Sequence, residues 1–484
     1  MARHGAVADS VSDCTLPGGD PAAAAEALRH EMVTGGRMTD AEARKAAGHL
    51  VRLARIYGTA PFTPLEKARA DIGVGRPAFR HLLDVFGTVP QLRSAVENGP
   101  AGKYWTNTLL PLERRGVLDA ALHRRPAFPY SVGLYPGPTC MFRCHFCVRV
   151  TGARYAHSAL DEGNAMFAAL IDEMPTDNPD AMYLSGGLEP LTNPGLGSLV
   201  RRAAGRGFRL TLYTNAFALT DRTLERQDGL WRLHAVRTSL YGLNDDEYAA
   251  TTGKKAAFGR VKANLQRFQR LRSERAEPVR LGLNYIVLPG RGRRLLDLVD
   301  FVAGLNAAAP DRPLDFVSLR EDYSGRPDGR LTGAERAELR DALTGFREKA
   351  AAMTPTLHID YGYALNALMA GADTELVRIR PEDMRPTAHP QVAVQVDLLG
   401  DVYLYREAGF PELPGADRYS IGRISPGTTL AHVVERFVTR GRGILPAEGD
   451  EYFMDGFDQV VTARLNQLET DTADGWADRR GFLR

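Results

Sequence analysis

The chain has 484 residues, more than one hydrophobic core usually organises, so two or three domains are expected. Its composition suits a globular protein, and 61 Lys and Arg residues nearly balance 59 Asp and Glu residues. This balance gives no support for a nucleic-acid-binding class, and no apolar run approaches the length of a membrane span. The low cysteine count, four, and the lack of an apolar segment near the first residue predict a cytoplasmic protein.

The first part of the chain predicts helices. Residues 1–20 are small and polar, which indicates a disordered tail. Residues 21–125 predict a helical N-terminal domain, because apolar residues recur at helical spacing and no strand pattern interrupts them. The segment that begins at Pro77 is an example, since proline suits a first helical turn and one apolar face follows it.

Residues 126–330 change to strands that alternate with helices. The helical patterns between the strands include residues 160–174 and 258–272. Near-continuous apolar strands in β–α order predict an α/β fold with a parallel sheet and helices packed outside it. The six predicted strands are 131–135, 181–185, 208–214, 235–240, 281–288 and 314–320.

Residues 331–484 predict a C-terminal α+β extension. Residues 392–397 and 401–405 flank a short Leu-Leu-Gly turn, which indicates a β-hairpin. Helices are expected at about 333–353, 428–439 and 456–480. The extension contains no cysteine, so no auxiliary iron–sulfur cluster is expected there.

Three of the four cysteines, Cys140, Cys144 and Cys147, follow the first predicted strand in the pattern C-x3-C-x2-C. Three thiolates on one loop can hold three irons of a 4Fe–4S cluster and leave the fourth iron open. A disulfide would leave one of the three unpaired. A structural zinc site would need His145 as a cramped fourth ligand, whereas zinc usually joins two separated pairs. Cys14 is expected to be an ordinary thiol.

This cysteine pattern resembles that of the radical S-adenosylmethionine (SAM) superfamily, in which it lies on the loop after the first barrel strand. Phe146, just before the last cysteine, is the aromatic residue typical of that family. Gly186 and Gly187, at the end of the second predicted strand, resemble the family's Gly-Gly-Glu motif. Here Leu188 separates Glu189 from the glycines. The resemblance implies a partial (β/α)6 barrel, one 4Fe–4S cluster, and SAM contacts by these residues.

Further SAM contacts are implied at the ends of strands three and four. Asn215 ends strand three, and Ser239 lies in a stretch that resembles the family's Ser-x-Asp-Gly motif, with Tyr241 in place of the acid. Lys254 or Lys255 would pair with the SAM carboxylate where relatives often use arginine. A solvated lysine pair explains these two residues equally well.

Glu321 and Asp322 follow strand six, where a barrel gathers its functional groups. They are candidate catalytic carboxylates, either as a proton acceptor or as the partner of an ammonium group. The alternative is that they form structural ion pairs with Arg320 or Arg326. Arg406 is a weaker candidate for binding phosphate.

Several longer runs resemble the radical SAM deaminases of desosamine biosynthesis, a branch of macrolide antibiotic biosynthesis. The resemblance implies a lyase that releases ammonia from TDP-4-amino-4,6-dideoxy-D-glucose and forms TDP-3-keto-4,6-dideoxy-D-glucose. It also implies an external one-electron reductant of the flavodoxin or ferredoxin type. The runs that carry it are residues 135–155, 185–194, 237–257 and 389–410.

Two other functions stay open on the sequence. One is a radical SAM dehydrogenase, which would oxidise a sugar alcohol and retain the nitrogen. The other is a non-enzymatic iron–sulfur protein, which would bind a cluster without cleaving SAM. The Gly186-Gly187 pair and Ser239 argue against the second, since neither would be needed without SAM.

Overall fold

The computed structural model describes residues 21–35, 39–147, 150, 152–321, 333–372, 377–440, 443–481 and 483. Its helices are α1 Pro21–Thr34, α2 Asp40–Thr59, α3 Leu65–Ile72, α4 Arg76–Thr88, α5 Pro90–Glu97, α6 Gly102–Tyr104, α7 Leu110–Arg114, α8 Val117–Leu122, α9 Ala159–Glu173, α10 Leu196–Gly205, α11 Asp221–Arg226, α12 Asp245–Thr252, α13 Phe258–Glu274, α14 Arg294–Asn306, α15 Gly333–Met353, α16 Tyr363–Met369, α17 Leu430–Arg440 and α18 Gly456–Ala473. Its strands are β1 Ser131–Tyr135, β2 Met182–Leu184, β3 Thr211–Thr214, β4 Ala235–Leu240, β5 Arg280–Val287, β6 Phe316–Glu321, β7 His358–Tyr361, β8 Ala393–Asp397, β9 Asp401–Tyr403 and β10 Ser420–Arg423.

All ten strands belong to one sheet, in the order β10-β9-β8-β1-β2-β3-β4-β5-β6-β7. The six predicted strands are confirmed as neighbouring parallel strands in chain order, which confirms the α/β fold. The sheet also contains strands on both sides of the six predicted ones. Strand β7 pairs in parallel with β6, and β8 pairs in parallel with β1. The predicted hairpin is β8 and β9, which pair antiparallel.

The described chain divides into two compact units. The first consists of described residues up to Arg115 with those in Asn366–Glu375 and Ala463–Arg484, and the second consists of Gly116–Leu365 and Leu376–Thr462. The domain boundaries expected from the sequence stay a prediction. No helix in the described ranges is both long enough and apolar enough to cross a bilayer.

The first unit is helical, as its apolar periodicity predicted. Thr39 and Glu42 form a capping box that satisfies backbone amides at the start of α2. The predicted apolar face of α4 is buried, and its Phe79 ring packs edge-on against Trp476. Arg464 donates to Glu113 at 3.0 Å, and both side chains are only 2% exposed. A buried ion pair of this kind holds its two segments in one geometry, because separating it leaves an uncompensated charge.

The second unit contains the sheet. Helices such as α9, α10 and α13 each bury one apolar face, as expected for helices that cover a parallel sheet. Polar residues interrupt the apolar strands on the other face. Tyr183 of β2 donates to Gln395 of β8 at 2.8 Å, and Arg237 of β4 donates to Ser318 of β6. These hydrogen bonds pair the Tyr183 hydroxyl group and one nitrogen of Arg237, whereas Arg237 Nε and Gln395 Nε2 stay buried without a partner among the described residues.

Candidate active site

A cavity of about 370 Å³ opens at the carboxyl ends of the parallel strands, within the second unit. All three clustered cysteines line it, together with the glycine pair that follows β2. Asn215, directly after β3, Ser239 of β4, Asn284 of β5 and Glu321 at the end of β6 line the same cavity. Side chains that are distant in the sequence therefore share one space, because the carboxyl ends of parallel strands meet at one edge of a sheet.

The cysteine loop is held by backbone hydrogen bonds. The Arg143 and His145 amides donate to the carbonyls of Thr252 and Thr251, at 2.8 and 3.1 Å. The Cys147 amide donates to the Cys144 carbonyl at 3.1 Å. The end of α12 thus fixes the loop from one side. These bonds leave the thiols to line the cavity, and all three cysteines are half-buried.

The loop also approaches the β2–β3 side closely. A side chain at Gly137 would place its Cβ 2.6 Å from the Glu189 carbonyl oxygen, so only glycine fits there without a backbone shift. The Glu189 amide donates to the Thr139 carbonyl at 2.9 Å. In the described ranges, no three Cys, His, Asp or Glu side chains converge as a single metal ion requires. A cubane cluster instead spaces its three ligands around separate irons, which suits three thiols that line one cavity.

Aromatic side chains form the wall beside the cysteines. Phe142 is 1% exposed and packs edge-on against the rings of Phe217, Tyr241 and Tyr248. The predicted Phe146 lines the cavity, with its ring centroid 5.7 Å from that of Tyr241. Burial, with the nearby thiols of Cys140 and Cys144 adding to it, raises the pKa of Tyr241 well above its usual value. Tyr241 is therefore a neutral phenol in this wall.

Gly186 and Gly187 follow β2 and line the cavity. Gly186 has φ 137°, which favours glycine, and a Cβ there would lie 2.9 Å from the Cβ of Tyr135. A Cβ on Gly187 would lie 2.6 Å from the Phe410 ring. Because these two residues are glycines, the segment after β2 can lie directly against Tyr135 and Phe410. A larger residue at Gly187 would act on the cavity by displacing Phe410.

Glu189 is almost completely buried, at 4% exposure, and its carboxyl group accepts three hydrogen bonds from the protein. The donors are the Thr214 hydroxyl, the Leu191 amide at 3.2 Å and the Asn215 amide at 2.9 Å. Burial raises the pKa of this carboxyl, while the three donors oppose that rise. Glu189 therefore ties the end of β2 to the end of β3, whatever else it contacts.

The other predicted SAM-binding residues differ in position. The side-chain nitrogen of Asn215, Nδ2, lies 3.4 Å from Met141 Sδ and 3.9 Å from Cys140 Sγ. The Asn215 side chain therefore contacts the cysteine loop directly. Ser239 lines the cavity and hydrogen-bonds to Tyr241. Lys254 is not among the described residues that line the cavity; its ammonium group lies 4.8 Å from the centre of the Phe217 ring.

Of the two predicted catalytic acids, Glu321 lines the cavity and is 8% exposed. Its Oε1 accepts a hydrogen bond from the Ala364 amide at 2.9 Å. Arg320, one of the expected ion-pair partners, donates to Asp360 at 2.8 Å. Asp322 lies outside the residues that the structure describes.

Two comparisons of sequence bear on this site. A family model described as "Radical SAM superfamily" matches residues 134–302. The chain is also 69% identical over 471 residues to the dTDP-4-amino-4,6-dideoxy-D-glucose ammonia-lyase of Streptomyces venezuelae, covering 97% of each chain. This chain belongs to the radical SAM superfamily. Membership confirms the family that the cysteine loop predicted and implies a 4Fe–4S cluster and SAM.

Solved structures show a weaker likeness. Streptococcus suis SuiB bound to S-adenosylmethionine is 14% identical, with a TM-score of 0.42, covering 74% of this chain and 75% of that chain. Native anSMEcpe with bound AdoMet is also 14% identical, with a TM-score of 0.42, covering 65% and 83%. At these values the likeness supports no argument about the ligands of this radical SAM protein.

One wall of this radical SAM cavity was missed by the sequence reasoning. Arg406 was only a weak candidate for phosphate, and Glu407, Phe410 and Asp455 were not considered, yet all four line the cavity. Arg406 donates to Asp455 at 2.7 Å. Burial, and then the neighbouring Asp455, raise the pKa of Glu407 to about 7. Two sequence signals pointed to this wall: Arg406 and Glu407 directly follow the predicted hairpin, and both lie in the run 389–410 that carries the resemblance to the deaminases.

Proposed function

We propose that this chain is a radical SAM ammonia-lyase that acts on TDP-4-amino-4,6-dideoxy-D-glucose. The product would be TDP-3-keto-4,6-dideoxy-D-glucose, and the pathway is desosamine-type biosynthesis of macrolide antibiotics. The observation that carries the proposal is 69% identity to an enzyme of that name across 97% of both chains. The cavity agrees with it, since cluster-type cysteines and carboxyl groups line the same space.

The cofactor residues follow from that cavity. Cys140, Cys144 and Cys147 would hold the cluster, because all three line one space on a loop that other hydrogen bonds fix. When bound, the cluster and SAM supply a carbon-centred radical that can remove hydrogen from carbon 3 of the sugar. The aromatic wall would keep water away from that chemistry.

The SAM contacts remain part of the proposal. They would come from Phe146, Gly186, Gly187, Asn215 and Ser239, all of which line the cavity. Two predicted contacts have less support from geometry. The Glu189 carboxyl group already accepts three hydrogen bonds from the protein. The Lys254 ammonium group lies over Phe217, so it would have to turn to reach a ligand.

Glu321 would accept the proton of the carbon 3 hydroxyl group. Its Oε1 is oriented by the Ala364 amide, and its side chain faces the cavity. General acid–base assistance is typically worth about two to four orders of magnitude in rate. Glu321→Gln should therefore slow ammonia release on that scale and leave iron content unchanged. Ammonia release at the parent rate would remove Glu321 from this role and leave Asp322 as the expected acid.

The deciding experiment is anaerobic incubation with SAM, a chemical reductant and the TDP-amino-sugar, followed by mass spectrometry and an ammonia assay. We expect a 3-keto sugar and ammonia, with neither formed by Cys144→Ala. A ketone that retains nitrogen would indicate the dehydrogenase instead. A cluster that forms without SAM cleavage would indicate a non-enzymatic iron–sulfur protein.

The physiological reductant and the location complete the proposal. A flavodoxin or ferredoxin would deliver single electrons, as the radical SAM chemistry needs an external donor. Cytoplasmic location is proposed because the cluster cysteines must stay reduced to bind iron. Replacing the chemical reductant by reduced flavodoxin should preserve ammonia release. Loss of ammonia release with every flavodoxin and ferredoxin of the host would contradict this class of donor.

A further inference from the structure

Glu407 lies on a short 3-10 helix, Arg406–Ala408, that follows β9. The segment that follows packs against the start of the cysteine-loop region, since a Cβ on Gly409 would lie 2.9 Å from the Tyr135 ring. The Tyr135 hydroxyl donates to the Arg406 carbonyl at 2.9 Å, and the Arg406 amide donates to Asp458 at 3.0 Å. These bonds fix the helix, and with it the direction from which Glu407 reaches the cavity.

The three glutamates of the cavity differ in the hydrogen bonds that their carboxyl groups already accept. Glu189 accepts three, and Glu321 accepts a hydrogen bond from the Ala364 amide and has at least one further polar or electrostatic interaction. Within the described part of the chain, we find no hydrogen bond donated to the Glu407 carboxyl group. Glu407 is half-buried, and its side chain lines the cavity. The oxygens of Glu407 are therefore available to a group that enters the cavity.

The charges around Glu407 favour a cation as that group. Asp455 lines the same wall, and Asp458 lies behind it on α18. Arg406 is the cation that faces them, and it is bonded to Asp455 at 2.7 Å. Tyr135, from β1, is neutral because burial raises the pKa of its hydroxyl group well above the usual value. Burial raises the pKa of Asp458 well above its usual value. Asp455 and Arg406 therefore form the charged pair of this wall, and Glu407 is the carboxyl group left to pair with an incoming cation.

We infer that Glu407 binds the ammonium group at carbon 4 of the amino sugar and positions it for elimination. This inference rests on the proposed function, which supplies an amino sugar as the ligand. An ammonium group would donate a charge-assisted hydrogen bond to the Glu407 carboxyl group and stabilise its ionised form. Glu321 would then act at carbon 3 and Glu407 at carbon 4, from different walls of one cavity.

This placement predicts how many protons the protein releases when the amino sugar binds. Because the pKa of Glu407 is raised to about 7, about half of these carboxyl groups hold a proton at pH 7. A bound ammonium group favours the ionised form and lowers that pKa. Binding at pH 7 should therefore release about half a proton per site. A sugar with a hydroxyl group at carbon 4 should release none.

The test is isothermal titration calorimetry with cluster-loaded protein and SAM, without reductant, so that no turnover occurs. Titrations in phosphate and in Tris give the proton count, because the two buffers differ in ionisation enthalpy. The ligands are TDP-4-amino-4,6-dideoxy-D-glucose and TDP-6-deoxy-D-glucose, which carries a hydroxyl group in place of the amine. The comparison of these two ligands on the parent protein requires no variant to fold.

Glu407→Gln should bind the amino sugar about tenfold to a hundredfold more weakly, the usual effect of losing one charge-assisted hydrogen bond. It should release no proton and should bind the hydroxyl analogue as the parent does. Glu407→Asp should restore part of both losses. Glu412→Gln, which removes an exposed carboxyl group in the following segment, is the matched control and should change neither.

Two results would overturn the inference alone. One is equal proton release when the parent protein binds either sugar. The other is an affinity of Glu407→Gln for the amino sugar equal to that of the parent protein. In both cases the parent protein must release ammonia from the amino sugar. If the parent protein neither binds the amino sugar nor releases ammonia from it, the proposed function itself is wrong. The two failures are thus distinguished by the parent protein's own activity.

Discussion

Replacing Glu407 by glutamine should stabilise the substrate-free protein, and more so at alkaline than at acidic pH. In the folded protein this half-buried carboxyl group is partly removed from water and lies near Asp455, and both effects raise its pKa from the ordinary value of about 4.5 to about 7. The unfolded chain ionises freely above about pH 4.5. Glutamine has a similar shape and carries no charge, so it avoids the cost of ionising in that wall.

The magnitude follows from the pKa difference. A rise from 4.5 to about 7, at about 1.4 kcal/mol per unit, corresponds to about 3 kcal/mol. The folded state binds more protons than the unfolded state between these two values, so stability is lost as pH rises through this window. The advantage of Glu407→Gln should therefore be near zero at pH 4.5, grow through pH 6, and level off near 3 kcal/mol above pH 7.

Urea unfolding of anaerobic, cluster-loaded protein at several pH values, followed by circular dichroism, measures this difference. Glu412→Gln is the matched control, because it removes an exposed carboxyl group from the same part of the chain. A difference between Glu407→Gln and the parent that stays constant from pH 4.5 to pH 8 would refute the electrostatic reasoning. Such a result would mean that Glu407 is solvated in the folded protein.

Three further changes test the loop and the helical unit. Alanine at Cys140, Cys144 or Cys147 should abolish bound iron in an iron and sulfide assay, whereas Cys14→Ala should retain it; iron loss in Cys14→Ala would contradict the ligand set. Gly137→Ala should lower iron content by pushing the loop off the Glu189 carbonyl, and Gly259→Ala, which meets nothing within 4 Å, should leave iron content at the parent level. Glu113→Leu should cost about 3–5 kcal/mol in urea unfolding because it leaves Arg464 charged and buried; a cost under about 1 kcal/mol would show that the pair is solvated.

Sequence predicts well the features that depend only on neighbouring residues, such as the cysteine loop and the apolar strands. The spacing of three cysteines after an apolar strand needs no distant partner, and the cysteine loop indeed lines the cavity. The six strands were placed from apolar runs, and β1 and β4 have the predicted bounds of 131–135 and 235–240. Strand β7, His358–Tyr361, was missed because it is short and half-exposed, so its side chains carry no apolar signal.

The wall that contains Glu407 depends on pairing between strands that are far apart in sequence. Strand β8 pairs with β1 in a register that joins Tyr135 to Asp397, and nothing in either strand alone specifies that partner. The hairpin was correctly predicted, but its position beside β1 was not. Charged residues after a hairpin are ordinarily solvated, so the sequence around Glu407 did not predict that its side chain lines the cavity.

The pairing of β8 with β1 has a functional consequence. Strand β1 leads into the cysteine loop, and β8 leads through β9 into the segment that carries Glu407, so one strand pair connects the two. The aromatic ring of Tyr135 lies against Gly409, and its hydroxyl group bonds the Arg406 carbonyl. A radical enzyme must hold its substrate at a fixed distance from its cluster. A shared strand pair meets that need, since β1 continues into the cysteine loop and β8 continues through β9 into the segment that carries Glu407.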